Sequence, residues 1–154
     1  MKSRFRHIYL EITNICNLNC PFCSKDNRQK EFMSLDDFKK YALMCKEYTN
    51  SLYLHIKGEP LMHQDFLEMI TFLEEIGMKV KLTTNGDFLS KYQDELLKFS
   101  NLLRINISLQ SLITKELVEV KKYLETLVCF LDKVSLKGTT SVSLRLWNDK
   151  EDLK

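Results

Sequence analysis

Five segments of the chain alternate apolar and polar residues with the two-residue period of a β-strand. They span residues 7–13, 51–57, 78–85, 104–111 and 141–147. Apolar residues at helical spacing predict helices between them, from Ser34 to about Asn50, from about Gln64 to Gly77, from Leu89 to Phe99 and from Thr114 to about Leu136. The last of these is long enough to break into two. Strands alternating with helices predict an α/β protein with a parallel sheet, in one domain spanning residues 1–154.

One parity of these strands is apolar throughout, and the other parity is largely polar. Because burying unpaired charged side chains in an apolar core is costly, the polar face must contact water or line a cavity that holds a polar ligand. An open partial (β/α) barrel with a polar lumen satisfies both conditions, whereas an antiparallel sheet with one wet face is disfavoured by the intervening helices. The lumen candidates are Glu11, His55, Lys81, Asn106, Arg145 and Trp147, with Arg145 as a candidate anion anchor.

Composition narrows the class of protein. With 154 residues, 44% of them hydrophobic, the chain can build a core. The net charge is +2, and the basic residues do not form a stripe interleaved with aromatic residues. The sequence therefore gives no indication of nucleic-acid binding. The chain has no run of 18 apolar residues and no signal peptide pattern, which predicts a cytoplasmic protein with no membrane association. In such a reducing compartment, clustered cysteines indicate metal binding or catalysis, not disulfides.

Three of the five cysteines fall within CNLNCPFC, residues 16–23. A structural zinc site closes with four protein ligands. An iron–sulfur cube takes one thiolate per iron, so three cysteines would leave one iron open to a cofactor or substrate. A zinc-binding or inert loop, with His7 or His55 as fourth ligand, is the alternative. Cys45 and Cys129 fall in helical patterns and are predicted to be small buried side chains.

With Phe22 before its third cysteine, this loop resembles the C-x3-C-x-aromatic-C signature of the radical SAM superfamily, and the resemblance extends through the first four strand ends. It implies that Cys16, Cys20 and Cys23 hold a 4Fe-4S cluster whose open iron is chelated by S-adenosylmethionine. Reduction of the cluster then cleaves this cofactor to methionine and a 5′-deoxyadenosyl radical, which abstracts hydrogen from a substrate. The resemblance also implies an electron donor such as flavodoxin or ferredoxin. The substrate is unknown; an activating enzyme acting on a protein and an enzyme modifying a peptide or a small molecule are all candidates.

The segment KGEP, residues 57–60, resembles the family's GGEP motif, which receives the methionyl ammonium of the cofactor. Gly58 permits close backbone approach, Glu59 offers a carboxylate and Pro60 stiffens the turn. Lys57 stands where the family motif has its first glycine. A lysine would strain the turn if that position requires a positive φ.

Two further motifs, TTNG at 83–86 and SLQS at 108–111, end the third and fourth strands. Their positions resemble those that contact the ribose and carboxylate of the cofactor, which implies roles for Thr83, Asn85, Ser108 and Gln110. Phe22 is expected near the adenine. The alternative for Asn85 is an ordinary Asn-Gly turn.

The chain departs from the family in having five predicted strands where the radical SAM core usually has six, so we expect a barrel truncated by one strand. The fifth strand would then be an exposed edge, unless a homodimer partner or another chain covers it. The sequence therefore predicts a radical SAM enzyme, and the alternative is a non-catalytic zinc- or cluster-binding interaction module.

Overall fold

A computed structural model describes residues 4–24 and 26–146. Its strands are β1 Ile8–Tyr9, β2 Ser51–Tyr53, β3 Lys79–Thr84, β4 Leu102–Ser108 and β5 Ser141–Arg145. Its helices are α1 Leu35–Lys46, α2 Phe66–Glu75, α3 Leu89–Leu96 and α4 Leu117–Lys137, with short 3₁₀ helices at Pro60–Met62 and Leu109–Thr114. The alternation of strands and helices follows the predicted order.

The five strands form one parallel sheet in the order β1-β2-β3-β4-β5. Each strand pairs with its neighbours in sequence, and β1 and β5 are the two edges of the sheet within the described residues. The prediction of an α/β fold with an open parallel sheet is confirmed. Parallel strands of this kind bring all their following loops to the carboxyl edge of the sheet.

The core lies between the apolar parity of the strands and the helices. Fully buried side chains include Leu52 and Leu82 from the sheet and Phe38, Phe66 and Phe130 from the helices. Burying a side chain of this size contributes roughly 1.5–3 kcal/mol relative to leaving it in water. Apolar contact with this one face is what leaves the opposite, polar face of the sheet free to line a cavity.

Three residues of the apolar parity are not packed as expected. Ile56 is 60% exposed, Leu144 is 45% exposed and Leu146 is 70% exposed. Ile56 lies beyond the end of β2, in the loop at the carboxyl edge. Leu144 and Leu146 lie on or beside the edge strand β5, which has one neighbouring strand and no helix after it among the described residues.

The first two strands are shorter than predicted. Regular pairing between them stops after Tyr9 and Tyr53, although Leu10 still donates to the Tyr53 carbonyl at 2.8 Å. Beyond that point a side chain replaces a strand partner, because the Lys57 backbone N–H donates to the Glu11 carboxylate at 2.7 Å. The sequence pattern records the residue alternation but not this change of hydrogen-bond acceptor.

Capping residues define the beginning of α1 and the end of α4. Ser34 caps α1, since its hydroxyl accepts from the Asp37 N–H at 3.1 Å. Gly138 ends α4 at φ 70°, the left-handed conformation that glycine adopts at helix ends. The predicted fourth helix starts three residues later than expected but runs unbroken to Lys137. No helix in the described ranges is both long enough and apolar enough to cross a membrane.

Candidate active site

A cavity of about 360 Å³ opens at the carboxyl edge of the sheet. Its walls come from the cysteine loop and from the residues that follow β2, β3 and β4. All three clustered cysteines line it, together with eight of the nine predicted cofactor-binding residues: Phe22, Lys57, Gly58, Glu59, Thr83, Asn85, Ser108 and Gln110. The ninth, Pro60, is buried at the start of the first 3₁₀ helix. The strand-end motifs therefore meet, as the parallel topology predicts.

The cysteine loop folds as a turn around its second half, where the Cys23 N–H donates to the Cys20 carbonyl at 3.0 Å. The Cys16 sulfur accepts weak hydrogen bonds from the Leu18 N–H at 3.5 Å and from Asn85 Nδ2 at 3.8 Å. Burial raises the pKa of the Cys16 and Cys20 thiols, and the neighbouring cysteines add to the effect. The thiolates of Cys16 and Cys20 would therefore form more readily beside a positively charged ligand, such as a metal centre.

The arrangement of these thiols bears on which metal centre fits. Across residues 4–24 and 26–146, no three or more His, Cys, Asp or Glu side chains surround a point where one ion could bind. A single zinc holds its sulfurs at about 2.3 Å, which brings them within about 4 Å of one another. An iron–sulfur cube carries one thiolate on each iron and so spreads its ligands farther apart. Three cysteine thiols that line one cavity would supply three of the four thiolates of such a cube.

The two histidines weighed as a fourth zinc ligand lie in different places. His55 lines the cavity, and its Nδ1 is buried without a hydrogen-bond partner among the residues that the structure describes. His7 packs edge-on against the rings of Tyr9 and Tyr53, with centroid separations of 5.8 and 5.0 Å. Of the other cysteines, Cys45 is half-buried, whereas Cys129 is exposed, so the prediction of a buried side chain is wrong for Cys129.

The KGEP turn is pressed against the start of the cysteine loop. Gly58 adopts φ 72°, and a Cβ built there would lie 2.5 Å from the Thr13 carbonyl oxygen. The next residue, Glu59, donates its backbone N–H to the Ile15 carbonyl at 2.8 Å. Only glycine fits this close approach. Gly58 contacts the backbone of the residues that directly precede Cys16. The turn therefore packs against the beginning of the cysteine loop.

The Glu59 carboxylate is 1% exposed and is held entirely by protein groups. Its Oε1 accepts from the Leu61 N–H at 3.0 Å and from the Thr84 hydroxyl at 2.8 Å, and its Oε2 accepts from the Asn85 N–H at 2.7 Å. Burial raises the pKa of Glu59 to about 7, against the opposing effect of these three hydrogen bonds. This carboxylate joins the turn after β2 to the end of β3.

Asn85 connects three parts of the site. Its Nδ2 donates to Asn17 Oδ1 at 2.8 Å, within the cysteine loop. Its carbonyl oxygen accepts from the Tyr123 hydroxyl at 2.9 Å, from α4, and from the Ser111 hydroxyl at 3.3 Å. Residue types alone did not single out Thr84, Ser111 or Tyr123. The first two lie inside the TTNG and SLQS segments, but Tyr123 is 38 residues away along the chain and has no local signal.

The remaining strand-end residues differ in how far their polar groups are already occupied. The Thr83 hydroxyl accepts from Asn106 Nδ2 at 3.1 Å, and the Ser108 carbonyl accepts from the Ser111 hydroxyl at 2.7 Å. Gln110 lies in the second 3₁₀ helix, which corrects the prediction that the fourth strand runs to residue 111. Its Oε1 is buried in the cavity wall and has no hydrogen-bond partner within residues 4–24 and 26–146.

Lys57 adopts an ordinary backbone conformation, since all positive φ values among the described residues belong to glycines. The strain anticipated for a lysine at this position is therefore absent. Its ammonium donates to the Ser24 carbonyl at 2.8 Å and also to the Ser24 hydroxyl. Its backbone N–H is held by Glu11, whose carboxylate also pairs with Arg28.

The lumen candidates differ in whether their polar groups are already bonded within the protein or are available to a ligand. Asn106 is buried and bonded to the Leu82 carbonyl and Thr83, so it is satisfied within the protein. Lys81 places its ammonium 5.3 Å from the centroid of the Tyr53 ring. Arg145 is exposed on β5 and has no carboxylate partner within the described part of the chain. Trp147 lies outside the described residues.

His55 is the lumen candidate that lines the cavity beside the cysteine loop. Burial lowers its pKa to about 4, and the positive charge of Arg145 adds to the effect. His55 is therefore neutral at physiological pH. It lies on the cavity wall between the cysteine loop and the lumen-facing residues of the sheet.

Residues 10–136 match the sequence profile of the radical SAM superfamily. That range spans the cysteine loop, the strand-end motifs and all four helices but the last residue of α4. The chain belongs to the radical SAM superfamily. Radical SAM enzymes use a 4Fe-4S cluster with S-adenosylmethionine, and the predicted family is confirmed.

Curated proteins are similar to this chain in sequence. The chain is 36% identical over 113 residues to a probable GTP 3′,8-cyclase of Methanococcus maripaludis, covering 71% of this chain and 38% of that protein. It is 29% identical to the GTP 3′,8-cyclase of a Synechocystis species, covering 96% of this chain and 48% of that one. The chain thus spans less than half the length of these relatives.

Solved structures of other proteins share the fold of this chain. BtrN in complex with AdoMet and 2-DOIA superposes with a TM-score of 0.65 at 18% identity, over 94% of this chain and 58% of that one. SuiB of Streptococcus suis bound to S-adenosylmethionine superposes with a TM-score of 0.51 at 17% identity, over 96% of this chain and 42% of that one. The open parallel sheet is therefore the partial barrel of this superfamily.

Proposed function

We propose that Cys16, Cys20 and Cys23 hold a 4Fe-4S cluster and that the adjoining cavity binds S-adenosylmethionine. When bound and reduced, these groups supply one-electron cleavage of the sulfonium to methionine and a 5′-deoxyadenosyl radical, which abstracts hydrogen from a substrate. The observation that carries this proposal is the convergence of all three cysteine side chains and the three strand-end motifs on one cavity.

The cavity wall offers unsatisfied groups to a polar cofactor. Gln110 Oε1 and His55 Nδ1 are buried there without partners in the described part of the chain, although buried polar atoms in proteins are nearly always hydrogen-bonded. A bound molecule with amino and hydroxyl groups would satisfy them. The hydroxyl of Ser108 and the amide of Asn85 are in reach of the same space, and Phe22 supplies an apolar ring. Lys57, Gly58 and Glu59 shape the side of the cavity nearest the cysteines.

We infer that the substrate is a small molecule with an anionic group. Lys81 and Arg145 carry positive charge on the lumen-facing parity and have no carboxylate partner among the described residues. The one acidic residue among the lumen candidates, Glu11, pairs with Arg28. Since two similar proteins are named GTP 3′,8-cyclases, GTP is the first substrate to test. A reductant is also required, for which flavodoxin or ferredoxin is proposed, and a cytoplasmic location stays a prediction.

Anaerobic reconstitution with iron and sulfide tests the cluster. The wild-type chain is expected to bind about four irons and four sulfides, the content of one 4Fe-4S cube. Three of these irons would each be bound by one cysteine, and the fourth would be open to the cofactor. Cys20→Ala should lose the cluster, whereas Cys129→Ala, which changes a cysteine on α4 outside the cavity, should retain it. One tightly bound zinc with no sulfide would instead support the interaction-module alternative.

Dithionite and S-adenosylmethionine then test the chemistry. The reconstituted protein is expected to release 5′-deoxyadenosine and methionine in equal amounts, measured by liquid chromatography with mass spectrometry. Addition of GTP should increase this release if an anionic nucleotide occupies the lumen, and Arg145→Met should weaken the increase without abolishing the basal release. A fully loaded cluster that yields no 5′-deoxyadenosine under any of these conditions would refute the proposed reaction.

A further inference from the structure

Besides the contact between Asn85 and Asn17, the cysteine loop is held at both of its ends by the KGEP turn. Its beginning is held by backbone contacts, because Glu59 donates to the Ile15 carbonyl at 2.8 Å. Its end is held by a side chain, because the Lys57 ammonium donates to the Ser24 carbonyl at 2.8 Å and to the Ser24 hydroxyl. Ser24 directly follows Cys23. The second attachment therefore depends on a residue for which the family motif has glycine.

Lys57 is itself fixed in position. Its backbone N–H donates to Glu11 Oε1 at 2.7 Å, and the other oxygen of that carboxylate pairs with Arg28. Arg28 lies on the segment that follows the cysteine loop and also pairs with Asp26 at 2.7 Å. The carboxylate of Glu11 thus holds both the backbone from which the Lys57 side chain extends and the chain that leaves the loop.

The lysine also places a positive charge close to the third cysteine. The Ser24 carbonyl oxygen accepts from the Lys57 ammonium at 2.8 Å, and the Cys23 thiol contacts the same oxygen at 3.9 Å. Positive charge near an iron–sulfur cluster favours its reduced form, which is more negative by one electron. Because Ser24 and the Lys57 contact are exposed to solvent, salt should screen part of this effect.

We propose that Lys57 is a positioning residue that fastens the end of the cysteine loop to the sheet and raises the reduction potential of the bound cluster. The electrostatic part rests on the proposed function, since it requires a cluster. The positional part does not, since the contact with Ser24 is made by the protein alone. A glycine at this position would provide neither the contact nor the charge.

Hydrogen exchange of the reduced, metal-free protein tests the positional part. Loss of the Lys57 contacts in Lys57→Met should make the amide of Cys23, which donates to the Cys20 carbonyl at 3.0 Å within the peptide 20–24, exchange about fivefold faster, the effect of losing one hydrogen bond. Lys57→Arg should retain slow exchange, because a guanidinium can still donate to Ser24. Lys121→Met, on the exposed side of α4, serves as the control and should leave this peptide unchanged. Equal exchange in Lys57→Met and the wild type would overturn the positional part.

A redox titration followed by electron paramagnetic resonance tests the electrostatic part. The midpoint potential of the cluster should become more negative in Lys57→Met and stay near the wild-type value in Lys57→Arg, and the difference should shrink as salt is added. A potential unchanged in Lys57→Met, in protein that binds the cluster normally, would overturn the electrostatic part. Failure of the wild type to bind iron and sulfide would instead refute the proposed function, and hydrogen exchange would still decide the positional part.

Discussion

The buried carboxyl group of Glu59 should make the stability of the fold depend on pH. Its pKa is about 7 in the folded chain, raised by burial from an ordinary value of 4.5. A group that binds its proton more tightly when folded stabilises the fold at low pH. This contribution is fully present below pH 4.5 and is lost as pH rises through 7. Between about pH 5.5 and about pH 8 the loss amounts to roughly 2 kcal/mol.

Another buried group acts in the opposite direction. The pKa of His55 falls from 6.5 to about 4 on folding, so its contribution is present above pH 6.5 and is lost as pH falls. The pH dependence of the wild type alone therefore mixes the two effects. Replacing Glu59 by glutamine removes only one of them. The useful quantity is the difference in unfolding free energy between the wild type and Glu59→Gln, measured at both pH values.

Urea unfolding of the reduced, metal-free proteins provides this measurement. Relative to Glu59→Gln, the wild type should lose about 2 kcal/mol between about pH 5.5 and about pH 8, which corresponds to roughly 1 M in the urea midpoint. Any loss of hydrogen bonding caused by the amide itself adds a pH-independent offset. Glu125→Gln, at an exposed position on α4, should show no such change. A difference between wild type and Glu59→Gln that stays constant within about 0.5 kcal/mol would refute the raised pKa.

Four further substitutions, one of them a comparison, test local features of the fold by thermal or urea unfolding. Gly58→Ala should cost about 2–4 kcal/mol, because the new Cβ meets a carbonyl oxygen at 2.5 Å, whereas Gly77→Ala, at a similar φ with open space around it, should cost only about 1 kcal/mol. Tyr123→Phe should cost about 1 kcal/mol, since it removes the hydroxyl that donates to Asn85. Ser34→Ala should cost about 1 kcal/mol through loss of the α1 cap. Equal costs for the two glycines, or no cost for either of the other changes, would contradict these contacts.

The topology was predictable because it depends on features that repeat along the chain. Strand-period and helix-period segments alternate, and this order is enough to predict a parallel sheet whose loops gather at one edge. That edge brings Cys16, Gly58, Asn85 and Gln110 to one cavity although they are distant in sequence. The same reasoning could not give the lengths of β1 and β2, because a side chain, Glu11, takes over where strand pairing stops.

The details of the site depend on contacts between distant residues. Glu59 was predicted to offer its carboxylate to a cofactor, and this role stays a prediction, but the sequence did not show that both of its oxygens already accept from neighbouring protein groups. Lys57 was read as a possible source of strain, but it makes a specific contact with Ser24. Tyr123 supports Asn85 from a helix whose sequence pattern shows only which face is buried. None of these partnerships has a local sequence signal, since each one requires the fold to be known first.

The site is held together mainly by hydrogen bonds between its loops, and this arrangement predicts coupling. Glu59 accepts from the N–H of Asn85, while Tyr123 donates to the carbonyl oxygen of the same residue. Loosening either side lets Asn85 move, so the second loss should cost less than it would alone. A double-mutant cycle of Glu59→Gln and Tyr123→Phe should therefore show a coupling of about 0.5–1 kcal/mol.

A matched pair without a shared partner provides the comparison. Glu59→Gln combined with Ser34→Ala, whose cap contact involves only α1, should be additive within about 0.3–0.5 kcal/mol. If the pair sharing Asn85 were also additive, that residue would be held by the rest of β3 and not by its two side-chain partners. The coupling thus measures whether the cavity wall is positioned by the sheet or by the bonds between its loops.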